Sequence, residues 1–236
     1  SVEAATDDST EWVARRALSL AAARRDVMPL INTLLTRQNT DGGFGGAVGY
    51  ESNPLDTAWV LLALKATGIN APQNIASGLG YLSSNINVDG SFGDSSMPAT
   101  LYQTAFALTA MQQFSQTYSL STPLNKAKAW LVAQQVAGGH YGDVMPNAIA
   151  AFALQMTTTD ASVYGGAVNA LKASQLANGS WGNDPYLTAV AMRTLQSAGQ
   201  PPQLPTTGSV TGRVLDASTL NALVGSTAQI VQLPNV

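Results

Sequence analysis

The sequence contains no cysteine, which excludes disulfides, thiolate catalysis, internal thioesters and Cys-ligated zinc. It has one histidine. A typical zinc site takes about three or four protein ligands, so no metal site and no cofactor is expected. Charge is scarce as well: 11 Lys plus Arg and 14 Asp plus Glu make up 11% of the 236 residues, against roughly a quarter in ordinary soluble domains. A net charge of −3 with scattered cations offers nothing to grip a phosphate backbone, so nucleic acid is not an expected partner. The longest unbroken apolar runs are Ala58 to Leu64 and Ala148 to Leu154, far short of the roughly 20 residues that span hydrocarbon. No transmembrane segment is expected.

What the chain does have is glycine, 21 residues of it, and 45% hydrophobic content, enough to bury the core of one large domain. The glycines recur in a pattern. Leu34…Gln38…Gly42-x-Phe44-Gly45, Leu82…Ile86…Gly90-x-Phe92-Gly93, Leu131…Gln135…Gly139-x-Tyr141-Gly142 and Leu171…Gln175…Gly179-x-Trp181-Gly182 share the same internal offsets. Successive first glycines are 48, 49 and 40 residues apart, a period that holds two helices and two connections.

Before each glycine turn lies an amphipathic segment, such as Ile31, Leu34 and Leu35, with apolar side chains at helical spacing. After each turn comes a segment that is apolar almost all round: Thr57 to Leu64, Thr104 to Met111, Ala148 to Leu154 and Leu187 to Met192. A helix without a polar face is buried on every side. Half-wet helices alternating with fully buried ones predict an outer ring around an inner ring. Trp12 to Ala23 fits as a further inner helix, capped by Asp8, Ser9 or Thr10, which makes about five inner and four outer helices.

The predicted organisation is a polar leader over residues 1–10, a helical repeat domain over 11–199, a Pro-rich linker over 200–208, and a segment over 209–236 rich in β-branched residues. Two strands alone are marginal in water, so this last module is incomplete or completed by another chain.

The repeat resembles that of prenyltransferases and squalene-oxidocyclases, whose "QW" signature runs roughly K/R-G/A-x2-aromatic-aliphatic-x3-Q-x3-G-x-W. Lys126, Ala127, Trp130, Leu131, Gln135, Gly139 and Tyr141 form the fullest copy, and Gln175, Gly179 and Trp181 keep its end in strict form. The resemblance implies an all-α fold, an α/α toroid of helical hairpins around a central cavity. The motif residues Gln38, Gly42, Phe44, Gly90, Phe92, Gln135, Gly139, Tyr141, Gln175, Gly179 and Trp181 read as structural: glycine permits the sharp turn, the aromatic packs over it, and the amide bonds freed backbone groups. Residues 208–233, with Gly208-Ser-Val-Thr-Gly-Arg213 and Ala222-Leu-Val-Gly-Ser-Thr-Ala228, resemble the opening of a carboxypeptidase regulatory-like β-sandwich. That likeness implies an exported protein at an extracellular, cell-surface or periplasmic address.

The chemistry of the resembled families does not transfer. Triterpene cyclases of the second class protonate an alkene with a D-x-D-D acid, and no such motif exists here. The adjacent Asp7 and Asp8 read as capping residues. Prenyltransferases hold zinc with Asp, Cys and His, and this chain has no Cys. His140 reads as a surface turn residue. Asn85-x-Asn87-x-Asp89-Gly90 imitates the start of a calcium loop, but the bidentate position falls on Ser96. Gly43 to Gly49 lacks phosphate-loop spacing and follows a helix.

What remains is the cavity where the inner helices converge, above all at their N-terminal mouth. Asp56, Trp59, Tyr102, Gln103, Asn147 and Tyr186 lie at or near those helix starts and read as candidate ligand contacts, with packing and capping as their alternative. The leading expectation is an exported, non-catalytic toroid that binds a small ligand, a glycan or a protein partner, or builds a surface assembly. A second reading is a divergent enzyme with its site in the cavity, terpenoid-cyclase-like or glycan-active. A third is a polymer or homo-oligomer joined by strand addition from the C-terminal segment.

Overall fold

The computed structural model describes residues 8–93 and 99–199. The described residues all fall within the first of two units, Ser1–Gln203. The linker over 200–208, the β segment over 209–236 and its carboxypeptidase-like resemblance all lie outside the described residues. So does most of the leader, Asp7 included.

Among the described residues the first unit is helical, with one two-stranded exception. The helices are α1 (Thr10–Ala22), α2 (Met28–Leu35), α3 (Pro54–Thr67), α4 (Pro72–Ser84), α5 (Leu101–Gln112), α6 (Ser121–Ala133), α7 (Val144–Gln155), α8 (Gly165–Ala173) and α9 (Pro185–Ser197). The strands β1 (Phe44–Gly45) and β2 (Ser52–Asn53) pair antiparallel, with Phe44 opposite Asn53. The odd-numbered helices pack on one another in chain order, and each of α2, α4, α6 and α8 packs on the odd helix before it. This is the expected inner and outer ring: an α/α toroid. Helices α3, α5 and α7 are buried on nearly every side, whereas α1 and α9 leave Trp12, Tyr186 and Met192 exposed where the ring begins and ends.

The starts of several inner helices are fixed by local chemistry. Asn53 caps α3, Thr100 caps α5 and Asp184 caps α9, each accepting from a first-turn N–H. Proline at the first position of α3 and α9 supplies the helical φ without wasting a donor.

The repeat motif performs one job four times. The aromatic after each glycine turn donates its backbone N–H to the fourth residue of the next inner helix: Phe44 to Thr57 at 2.9 Å, Phe92 to Thr104 at 2.9 Å, Tyr141 to Asn147 at 2.7 Å and Trp181 to Thr188 at 3.0 Å. This bond ties every turn to the inner ring. The motif amides bond carbonyls, Gln38 to Gly42 and Asn74, Gln135 to Val163, and Gln175 to Gly179. Gly90 has φ +94°, and a Cβ there would stand 2.4 Å from the Lys126 carbonyl of α6. Only glycine lets the turn seat itself on the next outer helix.

Candidate functional site

Because hairpins alternate, the five inner helices run parallel, and residues at equal distance from their starts share one level. The sixth residues are Arg15, Trp59, Phe106, Ile149 and Val190, and all five meet in one recess of about 300 Å³. The ninth residues are Leu18, Leu62, Thr109, Phe152 and Arg193, and all five line a cavity of about 200 Å³. The second residues include Glu11, Tyr102 and Tyr186, which gather around Arg15. The centre of the toroid is thus built in layers by a single register.

The layer nearest the helix N-termini is polar and closed upon itself. The Arg15 guanidinium pairs with Glu11 and donates to the hydroxyls of Tyr102 at 2.8 Å and Tyr186 at 3.1 Å. It also lies 4.5 Å from the centre of the Trp59 ring and 5.3 Å from that of Tyr186. Arg15 therefore ties α1 to α9 across the seam of the ring. Burial opposes its charge, but Tyr102 and Glu11 outweigh that and hold its pKa above the ordinary value. Burial raises the Tyr102 phenol, against the pull of Arg15.

Below lies an aromatic layer in which Trp59 and Phe106 stack with centres 4.4 Å apart, and Tyr102 meets Phe106 at 4.6 Å. The cavity opens beyond it, toward the C-terminal ends of the inner helices. Its walls are mostly aliphatic and aromatic, with Thr109 and Gln113 as neutral polar groups and Lys65 and Arg193 as cations. The Arg193 guanidinium lies 4.1 Å from the Phe152 ring centre, and the Lys65 ammonium 5.3 Å from that of Phe114. Crowding by these groups holds Arg193 below its ordinary value, although the residue keeps solvent exposure. No carboxylate lines the cavity among the described residues.

The structure divides the six residues expected at the N-terminal mouth. Trp59, Tyr102 and Tyr186 come together around Arg15. Asp56, Gln103 and Asn147 do not join them, because helix starts and turns take up their polar groups. Asp56 accepts from the Asn53 side chain and donates its backbone N–H to Asn53, while Gln103 does the same with Thr100, two helix caps reinforced side chain to side chain. Asn147 accepts from Tyr141 N–H and donates to the Gly142 carbonyl. Burial pushes the Asp56 carboxyl above the usual carboxylate range, opposed chiefly by its bond to Asn53.

Sequence reasoning missed Arg15, Lys65 and Arg193, the cations of the centre. The signal was present: Trp59, Phe106, Ile149 and Val190 each stand two residues beyond the recurring Thr57, Thr104, Asn147 and Thr188, and Arg193 stands five beyond Thr188.

Other polar clusters are consumed by their own turns. Asp89 accepts from Ser91 and from the Trp130 indole at 3.2 Å, and the His140 ring accepts from Gly142 N–H. No group of three or more potential metal ligands forms among the described residues, and no described helix is long and apolar enough to cross a membrane. A larger hollow of about 720 Å³ lies on the surface by the first turn, but Asn39, Asp41 and Ser52 there are bonded to one another and to the backbone.

Five parallel inner helices, four outer ones and an apolar centre define an α/α toroid of the terpenoid-cyclase type. No protein-family model and no curated protein sequence matches the chain. Among solved structures it is similar to an ent-copalyl diphosphate synthase from Streptomyces platensis, with a TM-score of 0.63 and 24% identity over 82% of this chain. The chain spans 40% of that synthase's length. At this identity the likeness establishes the fold. It also corrects the expectation of a non-catalytic module, since the protein found to share the architecture is a synthase, and the enzyme reading is the one that agrees with it.

Proposed function

We propose that the chain is a divergent, terpenoid-cyclase-like enzyme whose substrate occupies the central cavity. The observation that carries this is the cavity itself: all five inner helices contribute their ninth residues to one mostly apolar hollow, in a fold shared with a synthase. Concave, mostly apolar sites with a few convergent polar groups are where proteins bind small substrates. A glycan-active site is the weaker of the two enzyme readings. Glycoside hydrolysis uses two carboxyls roughly 5–9.5 Å apart, and no described carboxyl lines the wall.

No described carboxyl lines the cavity, and the Asp56 carboxyl is bonded to Asn53 at the start of α3, so the reading places no general acid at Asp56. The test is incubation of the full chain with isoprenoid diphosphates of five to twenty carbons and with neutral isoprenoids, with products separated by gas chromatography and mass spectrometry. Asp56→Asn, outside the cavity, is expected to leave turnover within a few-fold of the native chain. Absence of product from every substrate would end the enzyme reading.

Two further readings of the sequence belong to the same proposal. The exported address is checked by cell fractionation. Association through the C-terminal segment is checked by light scattering after deletion of residues 201–236, where an unchanged mass would sink it.

A further inference from the structure

We propose that the central cavity takes a small organic anion, its charged group bound by Arg193 and Lys65 and its apolar body lying against Leu62, Phe106 and Ile149. The inference rests on the reading of this cavity as the substrate site and names the class of molecule it takes.

Charge is the first argument. Arg193 and Lys65 are the only charged groups on the wall, and neither has a carboxylate partner or a side-chain hydrogen bond among the described residues. The Arg15–Glu11 ion pair lies outside this wall. Both side chains on the wall keep solvent exposure at the cavity's rim, where a bound anion would give each a counter-charge. Lys65 sits in the last turn of α3, where the helix dipole offers it partial compensation. Arg193 lies before the last turn of α9, so its charge has no such account.

The second argument is geometric. The Arg193 guanidinium carbon lies 4.1 Å from the Phe152 ring centre, and its N–H donors remain for an acceptor. Trp59 carries Arg15 and Phe152 carries Arg193, each over one ring face.

Size is the third. At about 200 Å³ the cavity falls below the roughly 300–1,000 Å³ that encloses a drug-sized ligand. It holds a body of about six to ten heavy atoms, on the ~20–30 Å³ scale that liquid water sets per heavy atom. The adjoining recess of about 300 Å³ shares Leu18, Trp59, Phe106, Ile149 and Arg193 with it, so a longer ligand would extend into that recess.

The experiment is calorimetric titration of the full chain with 3-phenylpropionate, phenyl phosphate, the neutral 3-phenylpropanol, inorganic phosphate and geranylgeranyl diphosphate. The expected result is binding of one or both aryl anions, with the neutral alcohol at least tenfold weaker and inorganic phosphate weaker still. Which anion binds better decides between a carboxylate and a phosphate head. Arg193→Gln is expected to weaken the anion at least tenfold and Lys65→Met several-fold, with thermal melts confirming that both variants fold. Equal binding of the alcohol, an unchanged affinity in folded Arg193→Gln, binding of geranylgeranyl diphosphate alone, or no binding of either anion at millimolar concentration would each overturn the inference. Anion binding without turnover leaves it standing and counts against the enzyme reading. Turnover of a neutral isoprenoid, undiminished in Arg193→Gln, does the reverse.

Discussion

The indole N–H of Trp181 donates a 2.7 Å hydrogen bond to the carbonyl of Leu171, ten residues earlier at the start of the same motif. One repeat back, the Tyr141 hydroxyl reaches the Leu131 carbonyl at 3.0 Å across the same interval. Two chemically different aromatics thus serve one carbonyl in the last turn of an outer helix. Burial pushes the Tyr141 phenol up to about 12, so it remains a donor throughout the working pH range. Tyr141→Phe removes the donor with little change in volume and leaves the Leu131 carbonyl with the Gln134 N–H alone, at a cost of about 0.5–1.5 kcal/mol. Urea denaturation of the variant measures it. A loss near zero would mean that water reaches Leu131 and that the hydroxyl is not a brace.

The turn-to-helix bonds support a second prediction. Thr57 and Thr104 are fully buried, and each accepts the backbone N–H of a motif phenylalanine at 2.9 Å. Thr104→Val keeps the shape and strands the Phe92 N–H, costing about 1–3 kcal/mol. The double variant Thr57→Val/Thr104→Val is expected to lose close to the sum, because the two turns belong to different repeats. Strong non-additivity in denaturant midpoints would show that the repeats are coupled through the inner ring.

These bonds also mark how far the sequence could be read. Repeats, helix alternation and the two rings were legible because they follow from periodicity, which survives errors of a residue or two at helix ends. The layered centre was not, because it depends on counting from each helix start. Asp56 and Gln103 stand one position beyond the inward-facing second residues, near enough in sequence to be grouped with Tyr102 and far enough on the helix to face a cap. Arg193 was overlooked for a different reason. A lone cation near the end of an apolar helix reads as a solvated side chain, and only the approach of Phe152 from α7 places it on the cavity wall.

Glycine supplies the third prediction, through a contrast between two sites with positive φ. At Gly90, φ +94°, a Cβ would meet the Lys126 carbonyl at 2.4 Å, whereas at Gly49, φ +81°, it would meet open space. Gly49→Ala therefore carries the conformational cost alone, about 1–2 kcal/mol. Gly90→Ala adds a backbone clash that no rotamer relieves, and is expected to cost at least twice as much. Thermal melting of the two variants side by side checks the ordering, and a reversed order would refute it.

Asp56 supplies the fourth. Its carboxyl titrates above the ordinary 3.8 in the folded chain, with burial as the main cause, so the folded state holds its proton more tightly than the unfolded state does. The contribution to stability is full below the unfolded value and is lost as pH rises through the folded one. Asp56→Asn cannot ionise. Relative to the native chain its stability should improve as pH climbs from about 3.5 through the raised value and then level off. A difference independent of pH would mean that the carboxyl is solvated after all.

The last prediction concerns the seam. Arg15 is the sixth residue of its helix, where the other inner helices carry Trp59, Phe106, Ile149 and Val190, so a charge occupies a place the fold elsewhere fills with apolar groups. It is held there by Glu11, Tyr102 and Tyr186 together. Tyr186 belongs to α9, whose outward face is largely exposed. Without Arg15, that helix keeps its packing on α7 and loses its tie to α1. Arg15→Met preserves the stem and removes the donors, and is expected to cost about 1–3 kcal/mol. The loss should be local. Hydrogen exchange should accelerate in the first turns of α1 and α9 while α3 and α5, buried on nearly every side, keep their protection. Equal acceleration across all five inner helices would place Arg15 in the common core of the ring instead of at its seam.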